Sequence, residues 1–117
     1  HRRKTGALLR ASLTIGGMAA GASRGELAAL DRYGAAIGLA FQIADDLLDA
    51  TSTAEALGKT PSDEDRGKST YVSLHGLEEA RRRAHKLVEE ALDALSEGGL
   101  EAPELEALAP YIVDRDR

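Results

Sequence analysis

A run of nine residues, Phe41-Gln42-Ile43-Ala44-Asp45-Asp46-Leu47-Leu48-Asp49, places three carboxylates inside an apolar, helix-forming stretch. A carboxylate among apolar side chains is costly unless a cation meets it. At helical spacing, Gln42, Asp45 and Asp49 fall on one stripe (i, i+3, i+7) with Asp46 flanking it. Hard oxygen donors arranged this way suit Mg²⁺, held through waters and a substrate phosphate rather than in a closed protein cage. Clustered like charges repel one another, and a bound cation relieves that. Taken alone, Asp-Asp-x-x-Asp fits a solvated helix end better than a site. Its apolar flanks favour a binding role, and so do two lysines downstream, Lys59 in Leu57-Gly58-Lys59 and Lys68 in Gly67-Lys68-Ser69-Thr70-Tyr71. Acid-held magnesium plus ammonium groups is a chemistry that neutralises a diphosphate.

The elements that must position these groups read as helices. Ser23-Arg24-Gly25-Glu26 is a capping-box pattern. From there Leu27, Leu30, Gly34, Ile37, Phe41, Ala44 and Leu48 recur at three- and four-residue steps, which predicts a helix from about Arg24 to about Ala50. Gly34 and Gly38 on it predict tight packing against a neighbour. Before it, a basic start (His1 to Thr5) leads into Gly6 to Ala20. That segment is apolar on nearly every side, which predicts a deeply buried helix, with Gly16-Gly17 permitting close approach. Thr51-Ser52-Thr53 predicts a separate short turn ending at Gly58. Residues 59–68 read as a polar loop and 69–75 as a short helix. Leu77, Ala80, Ala84, Leu87, Val88, Ala91 and Leu95 form the stripe of an amphipathic helix over 77–97, with Glu78–Arg82 and Glu79–Arg83 as i,i+4 pairs on its wet face. His85 belongs to that charged face, where solvation is the simplest role. Gly98-Gly99 stops the helix, and Pro103 opens a last one.

Composition narrows the class. The chain has 117 residues, enough for one domain. Aromatics are only 3% and Ala and Leu dominate, so the expected class is all-α. A net charge of −5 argues against a nucleic-acid partner. With no cysteine, thiolate chemistry and cysteine–zinc sites are excluded. No uncharged run is long enough for a membrane span, and no signal peptide is visible, so the expected location is the cytoplasm. The start at His1 leads straight into a helical pattern, as expected of a piece of something longer.

The residues resemble the C-terminal part of a trans-type isoprenyl diphosphate synthase, in the polyprenyl synthetase family of farnesyl and geranylgeranyl diphosphate synthases. The pieces stand in the family's order: Lys4-Thr5 opening a helix; Phe41-Gln42-x-x-Asp45-Asp46-x-x-Asp49; Lys59 ten residues after Asp49; and Gly67-Lys68-Ser69-Thr70-Tyr71. The resemblance implies the helical-bundle fold of isoprenoid synthases. It implies that residues 1–117 are the C-terminal part of one such domain, whose N-terminal half is not in this chain. Asp45, Asp46 and Asp49 match the second aspartate-rich motif, which meets Mg²⁺ on the allylic diphosphate, and Asp63 matches a further acid in the metal's outer shell. Lys4, Lys59 and Lys68 match lysines that bind that diphosphate. Thr5 and Gln42 match residues whose oxygens face the allylic carbocation, and Phe41 matches a residue lining the cavity near the homoallylic substrate.

The implied reaction is ionisation of an allylic diphosphate, attack by the double bond of isopentenyl diphosphate, and proton loss to pyrophosphate. The intact protein is expected to be a homodimer. The spacing of Lys59 and Lys68 hints at short-chain (C15 or C20) products. The family's earlier aspartate-rich motif and its neighbouring basic residues are missing from this chain, so the chain can carry only half of the metal site. Val72 stands where many members have proline. Two rival readings are a non-catalytic helical partner subunit of a synthase, and a terpene cyclase relative. The intact acid, lysine and Gln42 set speaks against the first. The second usually carries Asn and Ser or Thr among its second set of acids, which Asp45-Asp46-x-x-Asp49 lacks.

Overall fold

The structure, a computed structural model, describes residues 2–57 and 75–114, with side chains described for residues 4–51 and 75–114. Lys59, Asp63 and Lys68, the loop expected over 59–68, and the helix expected over 69–75 except its last residue therefore lie outside the described residues. The described residues form four helices and no strand: α1 (Arg2–Ala19), α2 (Arg24–Leu57), α3 (Leu77–Glu97) and α4 (Pro103–Asp114). The class is all-α, as composition predicts.

The junction between α1 and α2 follows from its sequence. Gly21, at φ 81°, turns the chain out of α1, and the Ala22 N–H closes back on the Gly17 carbonyl at 2.9 Å. The capping box then forms as expected. The Ser23 N–H donates to Glu26 Oε1 at 2.8 Å, and the Glu26 N–H donates to Ser23 Oγ at 3.1 Å. Gly99, at φ 69°, makes the same kind of exit from α3, with the Leu100 N–H on the Leu95 carbonyl at 2.9 Å. Pro103 takes the first position of α4, where its missing N–H costs nothing.

The core lies where α2, α3 and α4 meet. Tyr33, Ile37, Ala40 and Ile43 of α2 pack with Ala84, Leu87, Ala91 and Leu95 of α3 and with Ala109 and Ile112 of α4. Small residues on α3 let its axis approach α2 closely. Gly98 sits so tightly on Ala29 Cβ that an added methyl would clash.

Three expectations need correction. The long helix does not stop near Ala50 but runs on to Leu57. The Thr51-Ser52-Thr53 run costs only a few tenths of a kcal/mol per residue in helix propensity, while each residue added to a running helix makes a further hydrogen bond. Secondly, α1 is not deeply buried: Leu8, Ile15 and Met18 are each more than 60% exposed. It packs one face on α2, and its other apolar face finds no cover among the described residues. Finally, the ion pairs on α3 form at i,i+3 rather than i,i+4, with Arg82 on Glu79 at 2.6 Å and Arg81 on Glu78 at 3.9 Å, while Arg83 reaches Glu90 at 3.8 Å. On a solvated face these alternatives differ by little energy.

Candidate functional site

The site is built where α1 crosses α2. The two helices run antiparallel, and glycine sets how closely they approach. A Cβ on Gly38 would lie 3.6 Å from Gly6 Cα, and one on Gly6 would lie 3.9 Å from Gln42 Nε2. Further along, a Cβ on Gly34 would meet Leu13 Cδ1 at 3.0 Å, and one on Gly17 would meet Leu30 Cδ1 at 2.6 Å. The expectation of tight packing at Gly34 and Gly38 is met, and of the Gly16-Gly17 pair it is Gly17 that makes the close approach. This register brings the start of α1, with Lys4 and Thr5, to the part of α2 that carries Gln42. A shallow groove of about 280 Å³ runs along the seam from Arg10, past Gly34 and Gly38, to Gln42.

Lys4 and Thr5 are exposed at the start of α1, while Phe41 and Gln42 are half-buried. Asp45 and Asp49 are exposed one turn apart on the Gln42 stripe, as their spacing predicts. Asp46 departs from its neighbours: it is 5% exposed and turns into the fold rather than to solvent. Among the described residues no group of three or more histidine, cysteine, aspartate or glutamate side chains is placed to hold a metal ion. Asp45 and Asp49 are thus an open set of carboxylate donors. That set fits a hard cation that keeps several waters and takes further ligands from a phosphate, and does not fit a metal that needs a closed cage.

Two charged residues that were not singled out in the sequence cross the same seam. Arg10 of α1 donates from Nε to Asp31 Oδ1 at 2.9 Å and from Nη2 to Asp31 Oδ2 at 2.8 Å. The hydrogen-bonded guanidinium holds the Asp31 carboxyl below its ordinary pKa, and the carboxylate raises that of Arg10. The signal for them was available. Each is a charge set among the small and apolar residues that make the close approach. On the opposite side of α2 a groove of about 390 Å³ lies between α2, α3 and α4, with Leu47, Leu48, Arg81 and His85 among its walls. His85 is exposed there, in keeping with a solvated role.

The sequence profile of polyprenyl synthetase matches residues 1–104. The chain belongs to the polyprenyl synthetase family. Among similar curated proteins, the farnesyl diphosphate synthase of Escherichia coli (strain K12) is 47% identical over 122 residues, covering 100% of this chain and 41% of the relative. A dimethylallyltranstransferase of Fischerella ambigua (strain UTEX 1903) is 48% identical over 116 residues, covering 98% of this chain and 34% of the relative. A geranylgeranyl diphosphate synthase of Cyanophora paradoxa is 44% identical over 117 residues, covering 99% of this chain and 39% of the relative. The chain therefore spans between a third and about two fifths of the length of these polyprenyl synthetase relatives. The all-α architecture is the one expected of the family, and among the described residues no helix is long and apolar enough to cross a membrane.

Proposed function

We propose that this chain is the C-terminal part of a prenyltransferase that condenses an allylic diphosphate with isopentenyl diphosphate to give a short-chain (C15 or C20) prenyl diphosphate. The observation that supports the reading is the packing of Gly6, which follows Lys4-Thr5 at the start of α1, against Gln42 of α2, one turn from exposed Asp45. The names of the relatives, farnesyl and geranylgeranyl diphosphate synthases among them, support the substrate class. The full activity belongs to a longer protein that also supplies the facing half of the site. On the family resemblance, that protein is a homodimer.

Asp45 and Asp49 would hold Mg²⁺, with Asp46 beside them and Asp63 further out. A metal held there would supply positive charge that stabilises a leaving diphosphate. Lys4, Lys59 and Lys68 add ammonium donors to the same oxygens, so the charge that grows on pyrophosphate is met by groups already in place. Thr5 and Gln42 present oxygen dipoles to the allylic cation, and Phe41 walls the side near the incoming double bond. Water would quench that cation, so the complete site must wall it with apolar side chains, of which α1 and α2 would supply a part. Pyrophosphate then takes the proton lost after the new carbon–carbon bond forms.

The test is prenyl transfer by the intact protein, with dimethylallyl and isopentenyl diphosphates as substrates. The expected result is a Mg²⁺-dependent C15 or C20 diphosphate, lost on chelation. An intact protein that binds both diphosphates and transfers nothing would favour the partner-subunit reading. Release of a cyclic hydrocarbon would favour the cyclase reading.

A further inference from the structure

We propose that Arg10 and Asp31 are a positioning pair, which sets the register of α1 on α2 and so holds the start of α1, with Lys4 and Thr5, at the stretch of α2 that carries Gln42, for the allylic diphosphate. The proposal rests on the prenyltransferase reading of that site and adds residues that are not part of it.

The seam needs such a device because much of its floor is smooth. Gly6, Gly34 and Gly38 let the backbones meet, and surfaces without side chains resist sliding weakly. Leu13 over Gly34, and Leu27 and Leu30 over Gly17, fill the remaining space, but leucine side chains adapt to a small shift by changing rotamer. A forked guanidinium–carboxylate contact adapts less, because both of its hydrogen bonds must align at once. Arg10 makes that contact at 2.9 and 2.8 Å. Its stem also lies across Gly34, with Cγ 3.1 Å from where a Cβ would be, so the absent side chain at 34 is what lets the fork reach Asp31.

The geometry connects the pair to the site. Asp31 precedes Gln42 by three helical turns and shares its face of α2. Arg10 follows Thr5 by less than two turns, about 8 Å along a helix axis. A slip of one turn would carry Lys4 and Thr5 about 5 Å from Gln42. Both side chains of the pair are about half exposed (49% and 46%), so the pair adds little to stability. Its loss should therefore register in catalysis far more than in melting temperature, which separates positioning from a merely structural role.

The experiment uses the intact synthase with Arg10→Met, which keeps the stem and removes the fork, and with Asp31→Asn. Expected is a roughly ten- to hundredfold fall in kcat/KM for the allylic diphosphate, the scale of a small misplacement of reacting groups. Its KM should rise while that for isopentenyl diphosphate holds, and Tm should move by no more than about 2 °C. Arg10→Lys restores the charge without the fork and should recover only part of the rate. The reversed pair, Arg10→Asp with Asp31→Arg, should recover most of it and covers the case in which a single variant fails to fold. An active wild type beside an Arg10→Met variant of equal kcat/KM overturns the proposal. So does a rate loss that tracks a fall in Tm and affects both substrates alike. A wild type with no prenyl transfer overturns the functional reading first, and this proposal with it.

Discussion

The Tyr33 hydroxyl donates a hydrogen bond to the Leu105 carbonyl at 2.7 Å, tying the first third of α2 to the first turn of α4. Tyr33 is 1% exposed, and burial pushes its phenol up to about 12 from the ordinary 10.0. The folded state therefore holds the neutral phenol at a pH where the unfolded chain already ionises it. That advantage is present in full below pH 10 and is lost as pH rises through about 12. Tyr33→Phe should cost about 1 kcal/mol at neutral pH through the lost hydrogen bond. It should also flatten the fall in stability across this alkaline window, followed by urea unfolding at stepped pH. An equally steep fall in the variant would assign the alkaline loss to other groups.

The contact between Gly98 and Ala29 predicts a steric cost. Gly98 has φ −80°, a conformation any residue adopts, so Gly98→Ala brings no backbone strain, and its main cost is the clash with Ala29 Cβ, with a tight 3.3 Å approach to the Ala94 carbonyl beside it. Overpacking of this kind costs about 1–3 kcal/mol. Thermal unfolding should show it, and Ala29→Gly in the same background should show favourable coupling in a double-mutant cycle. Additive effects of the two changes would mean that the helices part without cost.

Much of the fold was legible because its local signals agree with one another. Ser23 and Glu26 form the capping box their spacing predicts, and the alanine-rich stripe from Ala80 to Leu95 is the buried face of α3. The exposure of Leu8, Ile15 and Met18 was not legible, because an all-round apolar pattern says that a helix wants cover but not whether this length of chain supplies it. In the site, periodicity places Gln42, Asp45 and Asp49 on one stripe. It does not say that Asp46, one residue on, turns inward, because that depends on which neighbour crosses α2 and at what angle. Arg10 and Asp31 are far apart in sequence, and only the antiparallel register brings them together.

The apolar stripe on α1 predicts the solution behaviour of the chain alone. With Leu8, Ile15 and Met18 on one exposed face, the isolated chain should self-associate. Light scattering should report oligomers that shrink in the Leu8→Gln/Ile15→Gln/Met18→Gln variant. A stable monomer at high concentration would contradict the idea that this face is covered in the intact protein.

Asp45→Ala in the intact protein should lower Mg²⁺-dependent turnover roughly 10²–10³-fold, the scale seen when one group stabilising transition-state charge is removed. Asp93→Ala, an exposed acid on α3, is the control and should leave turnover unchanged. Near-normal turnover in Asp45→Ala would make the acids a solvated helix face.

The most direct test of the half-site claim is complementation. The 117-residue chain is mixed with a separately expressed N-terminal half of the synthase, their association is verified by co-elution, and transfer from dimethylallyl to isopentenyl diphosphate is measured with and without Mg²⁺. The expected result is no transfer by either piece alone, and Mg²⁺-dependent transfer by the mixture that Asp45→Ala abolishes. Turnover by the 117-residue chain alone, or an associated mixture as active with Asp45→Ala as without it, would contradict the claim that α1 and α2 carry one wall of a shared diphosphate–magnesium site.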